Sequence, residues 1–271
     1  YKTVKPPVHI FNYNQPFKLE SGITIPGFHL GYTTLGELNA AKDNVVWVFH
    51  ALTANSNPAE WWDGLVGEGK LFNPKQHFIV CVNMPGSCYG SIHPLDINHT
   101  TSEPFFHLFP LFTTRDMVRA YQPLKNFLGI HKVFVGLGGS MGGQQLLEWA
   151  IEEPELFENI IPIATNAVLS PWAIAFNATQ RMCIEADFTW NTKHELAGIN
   201  GMKVARSVAL LSYRNYDTYL TAQSEKDNTA IDGFRSDSYQ RYQGEKLAKR
   251  FNAFSYYFLS KSMDCLLYTS D

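Results

Sequence analysis

Residues 138–142 read Gly-Gly-Ser-Met-Gly, a G-x-S-x-G pattern that sets one hydroxyl, that of Ser140, among residues with little or no side chain. A serine is a weak nucleophile until a base and a set of oxyanion donors surround it. The glycines permit a tight strand-to-helix turn with close backbone packing, which projects the hydroxyl from a sheet edge. The flanks fit that turn. KVFVGL (132–137) precedes it as an apolar strand, and GGQQLLEWA (142–150) follows as a helix. A helix N-terminus beside the serine would favour developing negative charge. The competing reading is a structural or phosphate-cradling glycine turn, and the strand–turn–helix context favours the nucleophile.

A second chemical element lies upstream, where VVWVF (45–49) runs into His50-Ala51-Leu52-Thr53. A loop in this position supplies one backbone N–H to a tetrahedral intermediate, and the residue after the nucleophile supplies the other. Leu52 and Met141 are the expected donors, each worth about 3 kcal/mol. The cysteines Cys81, Cys88, Cys183 and Cys265 show no C-x-x-C spacing. With scattered histidines, they predict no metal site and no disulfide framework. Cys88 reads as a packed thiol rather than a second nucleophile. Trp61 and Trp62 read as packing residues, with the border of an acyl channel as the alternative.

The elements that must position these groups form an alternating series. Solid apolar runs at 45–49, 78–82, 133–137 and 160–164 predict strands buried on both faces. Helical patterns lie between them at 114–128 and 143–153, with Pro123 expected to bend or shorten the first. Residues 17–36 alternate as hairpin strands. Beyond Ala167 the chain turns aromatic and helical, with a solvated loop over 223–238. The expected fold is therefore α/β: an α/β-hydrolase-like, mostly parallel sheet covered by helices, with a core over 1–166 and an inserted helical lid over 167–264.

The 271 residues are 45% hydrophobic and 17% charged, which suits a globular core, and the net charge of −3 argues against a nucleic-acid binder. No apolar run is long enough to span a bilayer, and cysteine usage fits a reduced, cytoplasmic setting.

Several blocks resemble the homoserine O-acetyltransferase family: HALT (50–53), CYGS (88–91), RDMVRA (115–120), GGSMGGQQLLEWA (138–150), IATNAVLSPWAIAFNATQR (163–181), ARSVALLSYR (205–214) and YQGEKLAKRFNAFSYYFLSKSMD (242–264). The resemblance implies transfer of an acetyl group from acetyl-CoA to the hydroxyl of L-homoserine through acetyl-Ser140, in methionine biosynthesis. Acetyl-CoA is then a substrate, and no bound cofactor is implied. Arg206 resembles the arginine that pairs with the amino-acid carboxylate, and Tyr213 the tyrosine beside it. A homodimer through the lid is the family's habit. The turn Asn83–Cys88 departs from the family pattern, with Pro and Ser where Leu and Gly are commoner.

In this fold the chain order is Ser, acid, His. That order makes His50 a loop-shaping residue. His194, alone among the nine histidines, follows Ser140, and it sits at the start of the lid. The family's acid and His lie after the lid, and the resemblance stops at Asp264. The expectation is a truncated chain that lacks the last core strands and ends in a non-family tail over 265–271. Neither Asp264 nor Asp271 is assigned as the acid. Such a chain should have little turnover and an unpaired sheet edge. Succinyl-CoA as donor or serine as acceptor remains open, as do a plain serine esterase and a non-catalytic remnant.

Overall fold

The structure, a computed structural model, describes residues 6–225, 229 and 231–265. The described residues form two compact units. One runs up to Leu169 and resumes at Lys261, and the other is Ser170–Ser260. The non-family tail expected over 265–271 lies, beyond Cys265, outside the described residues.

The first unit is built on a six-stranded sheet of β1 (His9–Tyr13), β2 (Phe28–Leu35), β3 (Val45–Phe49), β4 (Phe78–Val82), β5 (Val133–Gly139) and β6 (Phe157–Ile163). Their spatial order is β1-β2-β4-β3-β5-β6. Strands β4, β3, β5 and β6 are parallel, and β1 and β2 add antiparallel at one side. β3 lies at the centre because all five of its residues are buried. Its alternation sends Val46 and Val48 to one face, where they meet Ile79, Cys81, Val135 and Leu137 under Val66 and Phe72. Trp47 and Phe49 go to the other face and pack with Tyr121, Trp149 and Phe157, the Trp47 and Trp149 rings meeting edge-on at 4.9 Å.

That second face is covered by α1 (Thr114–Phe127) and α2 (Met141–Glu152). α1 begins with a capping box: the Thr113 hydroxyl accepts from the Asp116 N–H at 3.1 Å, and the Asp116 carboxylate accepts from the Thr113 N–H at 3.0 Å. Pro123 does not shorten this helix, which continues to Phe127. α2 approaches the sheet closely where Gly136 has no side chain, since a Cβ there would strike Leu146 and Phe157.

Two local readings are corrected. The run at 160–164 belongs to β6, but it is not buried on both faces: Ile160, Ile161 and Ile163 are 41%, 37% and 39% exposed. Among the described residues β6 pairs only with β5, so it is the sheet's last strand. The hairpin reading over 17–36 also divides. Phe17–Lys18 pairs with Thr24–Ile25 as a separate ribbon, and β2 joins the main sheet. β1, which the sequence pattern does not announce, completes the side beyond β2.

The second unit is helical: α3 (Pro171–Glu185), α4 (Ile199–Tyr213), α5 (Tyr216–Gln223), α6 (Arg235–Ala248) and the body of α7 (Ala253–Asp264). Ser170 caps α3 through its hydroxyl, which accepts from the Ala173 N–H at 3.2 Å, and Pro171 opens the first turn. The loop expected over 223–238 is shorter than that. Arg235–Ser238 belongs to α6, whose start is held by the Arg235 guanidinium donating to the carbonyls of Ser224 (2.9 Å) and Ala222 (3.2 Å). Residues 226–228 and 230 of that loop lie outside the described residues.

Candidate active site

Ser140 sits between β5 and α2 with φ 54° and ψ −124°. A non-glycine residue in that region is strained and persists only where its surroundings fix it. Here they do. The Ser140 N–H donates to the Ile163 carbonyl at 3.0 Å. The Ser140 carbonyl accepts from the N–H groups of Gly143 (2.9 Å) and Gln144 (3.1 Å) and from the Thr165 hydroxyl (2.8 Å). The surrounding glycines are required by space. A Cβ at Gly138 would collide with the Gly142 backbone, one at Gly143 would collide with the Thr165 side chain, and one at Gly142 would strike the carbonyls of Phe49 and His50. The serine's own side chain makes no capping bond to the helix below it.

The collision at Gly142 locates the second element of the site. The end of β3 runs against the first turn of α2, and Leu52 follows three residues later. Among the described residues, neither the Leu52 N–H nor the Met141 N–H donates to a backbone carbonyl. Both side chains are buried, which leaves the main chain as the polar feature each residue has to offer.

His50 is fully engaged in shaping that loop. Its Nδ1–H donates to the Ala51 carbonyl at 2.8 Å, and its Nε2 accepts from the Met84 N–H at 3.1 Å. Burial lowers its pKa to about 4 and keeps the ring neutral. His194 is exposed and accepts from the Leu196 N–H within a turn of the second unit. Cys88 is half-buried in the turn after β4, where Gly86 takes φ +96° and the Ser87 N–H closes on the Met84 carbonyl at 2.9 Å.

Arg206 and Tyr213 meet on α4 of the second unit, the guanidinium carbon 5.9 Å from the ring centroid. Arg206 is half-buried and, among the described residues, pairs with no carboxylate. Tyr213 is 58% exposed. Nearby, the buried Tyr256 hydroxyl donates to Gln180 Oε1 at 2.5 Å.

Sequence reasoning missed Thr165, whose hydroxyl holds the elbow from the far end of β6. It read Trp62 as a packing residue, with the border of an acyl channel as the alternative, and the ring lies 3.3 Å from where a Gly139 Cβ would stand. Neither contact has a local signal, because each joins segments remote in sequence. A cavity of about 660 Å³ opens elsewhere in the first unit, among Asn14, Phe28, His29, Asp96, His99 and Phe105, and takes in no residue of the elbow. Among the described residues no group of His, Cys, Asp or Glu could hold a metal ion, and no helix is long and apolar enough to cross a membrane.

A mostly parallel sheet with a strained serine at the strand–helix turn defines the class, and a family model described as the alpha/beta hydrolase fold matches residues 44–255. Among solved structures, a homoserine O-acetyltransferase from Bacillus anthracis superposes with TM-score 0.85 at 23% identity, covering 98% of this chain and 77% of that one. Esterase E22 superposes with TM-score 0.83 at 24% identity over 97% and 78%. These two share the fold while differing in named activity, so fold alone does not choose between transfer and hydrolysis.

Sequence relatives are more specific. The chain is 50% identical to the homoserine O-acetyltransferase of Cyclobacterium marinum over 97% of its own length and 74% of that protein. It is 40% identical to that of Nostoc punctiforme over 96% and 74%. The chain belongs to the homoserine O-acetyltransferase family, acyltransferases built on the α/β-hydrolase fold.

Proposed function

We propose that the chain transfers an acetyl group from acetyl-CoA to the γ-hydroxyl of L-homoserine, through an acetyl ester on Ser140. The carrying observation is the strained Ser140 backbone, held from β6 by the Ile163 carbonyl and the Thr165 hydroxyl. In the first half-reaction the Ser140 oxygen attacks the thioester carbon. A carbon–oxygen bond forms, the carbon–sulfur bond breaks, and CoA leaves as the thiolate that takes up the serine's proton. The homoserine hydroxyl then attacks the acetyl ester, and Ser140 regains a proton. The N–H groups of Leu52 and Met141 oppose the oxyanion in both steps.

Arg206 is the proposed partner of the homoserine carboxylate. A half-buried guanidinium that pairs with no carboxylate among the described residues, oriented over the Tyr213 ring, suits a planar anion. The relatives' name supports homoserine as acceptor, and the reading places the chain in methionine biosynthesis.

Proton transfer limits the rate. Among the described residues no imidazole hydrogen-bonds Ser140. Donors and binding without a base leave about a thousandfold acceleration over water. The 271-residue polypeptide is therefore expected to acetylate slowly at Ser140, as followed by intact mass after incubation with acetyl-CoA. Ser140→Ala removes the adduct, and added homoserine discharges it as O-acetylhomoserine. An adduct that survives in S140A, or one discharged by water but not by homoserine, would refute the reading.

A further inference from the structure

The proposed reaction needs a boundary on the acyl group, and a tryptophan next to the nucleophile is unused by the mechanism above. Trp62 follows the single helical turn Pro58–Trp61. Two ring atoms of its indole, Cζ2 and Cη2, lie 3.3 and 3.6 Å from the position a Cβ at Gly139 would take. Gly139 immediately precedes Ser140, so the indole lies directly against the residue before the nucleophile.

The geometry is fixed from several directions. The Trp62 N–H donates to the Pro58 carbonyl at 2.8 Å, and the Trp62 carbonyl accepts from Leu65 and Val66, both at 2.9 Å. The Trp61 ring lies 4.8 Å from that of Trp62 and is itself anchored by its indole N–H to the Asn55 carbonyl at 2.9 Å. Both rings pack on the buried cluster of Val46, Val48, Val135 and Leu137, yet both remain partly exposed. A core residue would be covered, whereas this residue packs on the core, stays partly exposed and brings two ring atoms against Gly139.

We propose that Trp62 is a specificity-determining residue that limits the length of the acyl group accepted by Ser140 to that of a short chain. This rests on the reading of Ser140 as nucleophile. An indole packed on the Trp61 ring and on that cluster resists displacement by further methylene groups, and a pocket that excludes or admits one methylene discriminates by about tenfold or more.

The test uses the 271-residue chain and p-nitrophenyl acetate, butyrate and hexanoate, with the adduct read by intact mass. The Ser140 oxygen bonds to the acyl carbon, the acyl–oxygen bond to the aryl group breaks, p-nitrophenolate leaves with the electron pair, and the hydroxyl proton goes to buffer. Trp62→Ala is expected to raise the ratio of hexanoyl to acetyl adduct by about tenfold or more, with Trp62→Phe in between. Should Trp62→Ala fail to fold by near-UV circular dichroism, Trp62→Phe and Trp62→Leu decide the ratio. A ratio unchanged in the folded variants overturns the assignment while leaving Ser140 in place. Equal labelling of the parent and S140A overturns the nucleophile, and the role of Trp62 with it.

Discussion

His50 is a single residue whose chemistry becomes a property of the whole protein. Its two ring nitrogens join the β3 loop to the β4 loop, donating to Ala51 and accepting from Met84. The acceptor role requires a neutral ring, and burial lowers the pKa to about 4. In the unfolded chain the ring titrates near 6.5. Between those values the unfolded state binds a proton that the native state does not, so stability falls as the pH falls through this window. The loss approaches about 3 kcal/mol by pH 4, at 1.36 kcal/mol per decade. Urea unfolding of the parent and His50→Gln from pH 7.5 to 4.5 should show the parent losing stability faster, by up to one proton in slope. Parallel slopes would place the titrating group elsewhere. Chain order alone points to this structural role from the sequence. It had no means of showing Met84 as the partner, because that bond joins residues 34 positions apart.

Among the elements, α1 joins the N-terminal ribbon to the α2 layer, and its first turn concentrates that connection. Buried Asp116 accepts from the N–H groups of Thr113 and Glu20, both at 3.0 Å, while Thr113 caps in return. Thr113→Ala removes one cap and is expected to cost about 1 kcal/mol. Asp116→Ala leaves two part-buried N–H groups without their acceptor and should cost more, about 2–3 kcal/mol, at about 1–1.5 for each hydrogen bond lost. Chemical denaturation of both variants checks the order, and a milder loss for Asp116→Ala would contradict it. The central elements were legible from local pattern: the runs at 45–49 and 78–82 coincide with β3 and β4, because a strand between two layers must be apolar on both sides. The same rule misjudged β6, whose residues look alike but stand at the sheet's side. Apolar sequence reports a tendency to be covered, and position in the sheet decides whether a cover is present. The expected shortening at Pro123 fails for a related reason, since packing of α1 on α2 outweighs one missing helical N–H.

For the whole molecule, the consequence of β6 is an edge among the described residues, where it pairs only with β5. The Ile163 carbonyl accepts from Ser140, so Ile163 turns its backbone groups toward β5. Alternation then directs the backbone of Ile160 and Pro162 outward. Pro162 has no N–H to offer there, which fits the confinement of strand prolines to open edges. The remaining outward groups, with the exposed side chains of Ile160, Ile161 and Ile163, form a template for pairing with another strand. The 271-residue polypeptide is therefore expected to self-associate as its concentration rises into the micromolar range. Replacing Ile160 and Ile161 together by Lys puts charge on both faces of β6 while leaving the β5 ladder intact, and should restore the monomer. Sedimentation velocity over a concentration series distinguishes the outcomes. A parent that stays monomeric throughout means the edge is protected, and association unaltered in the double variant means that it proceeds through another surface.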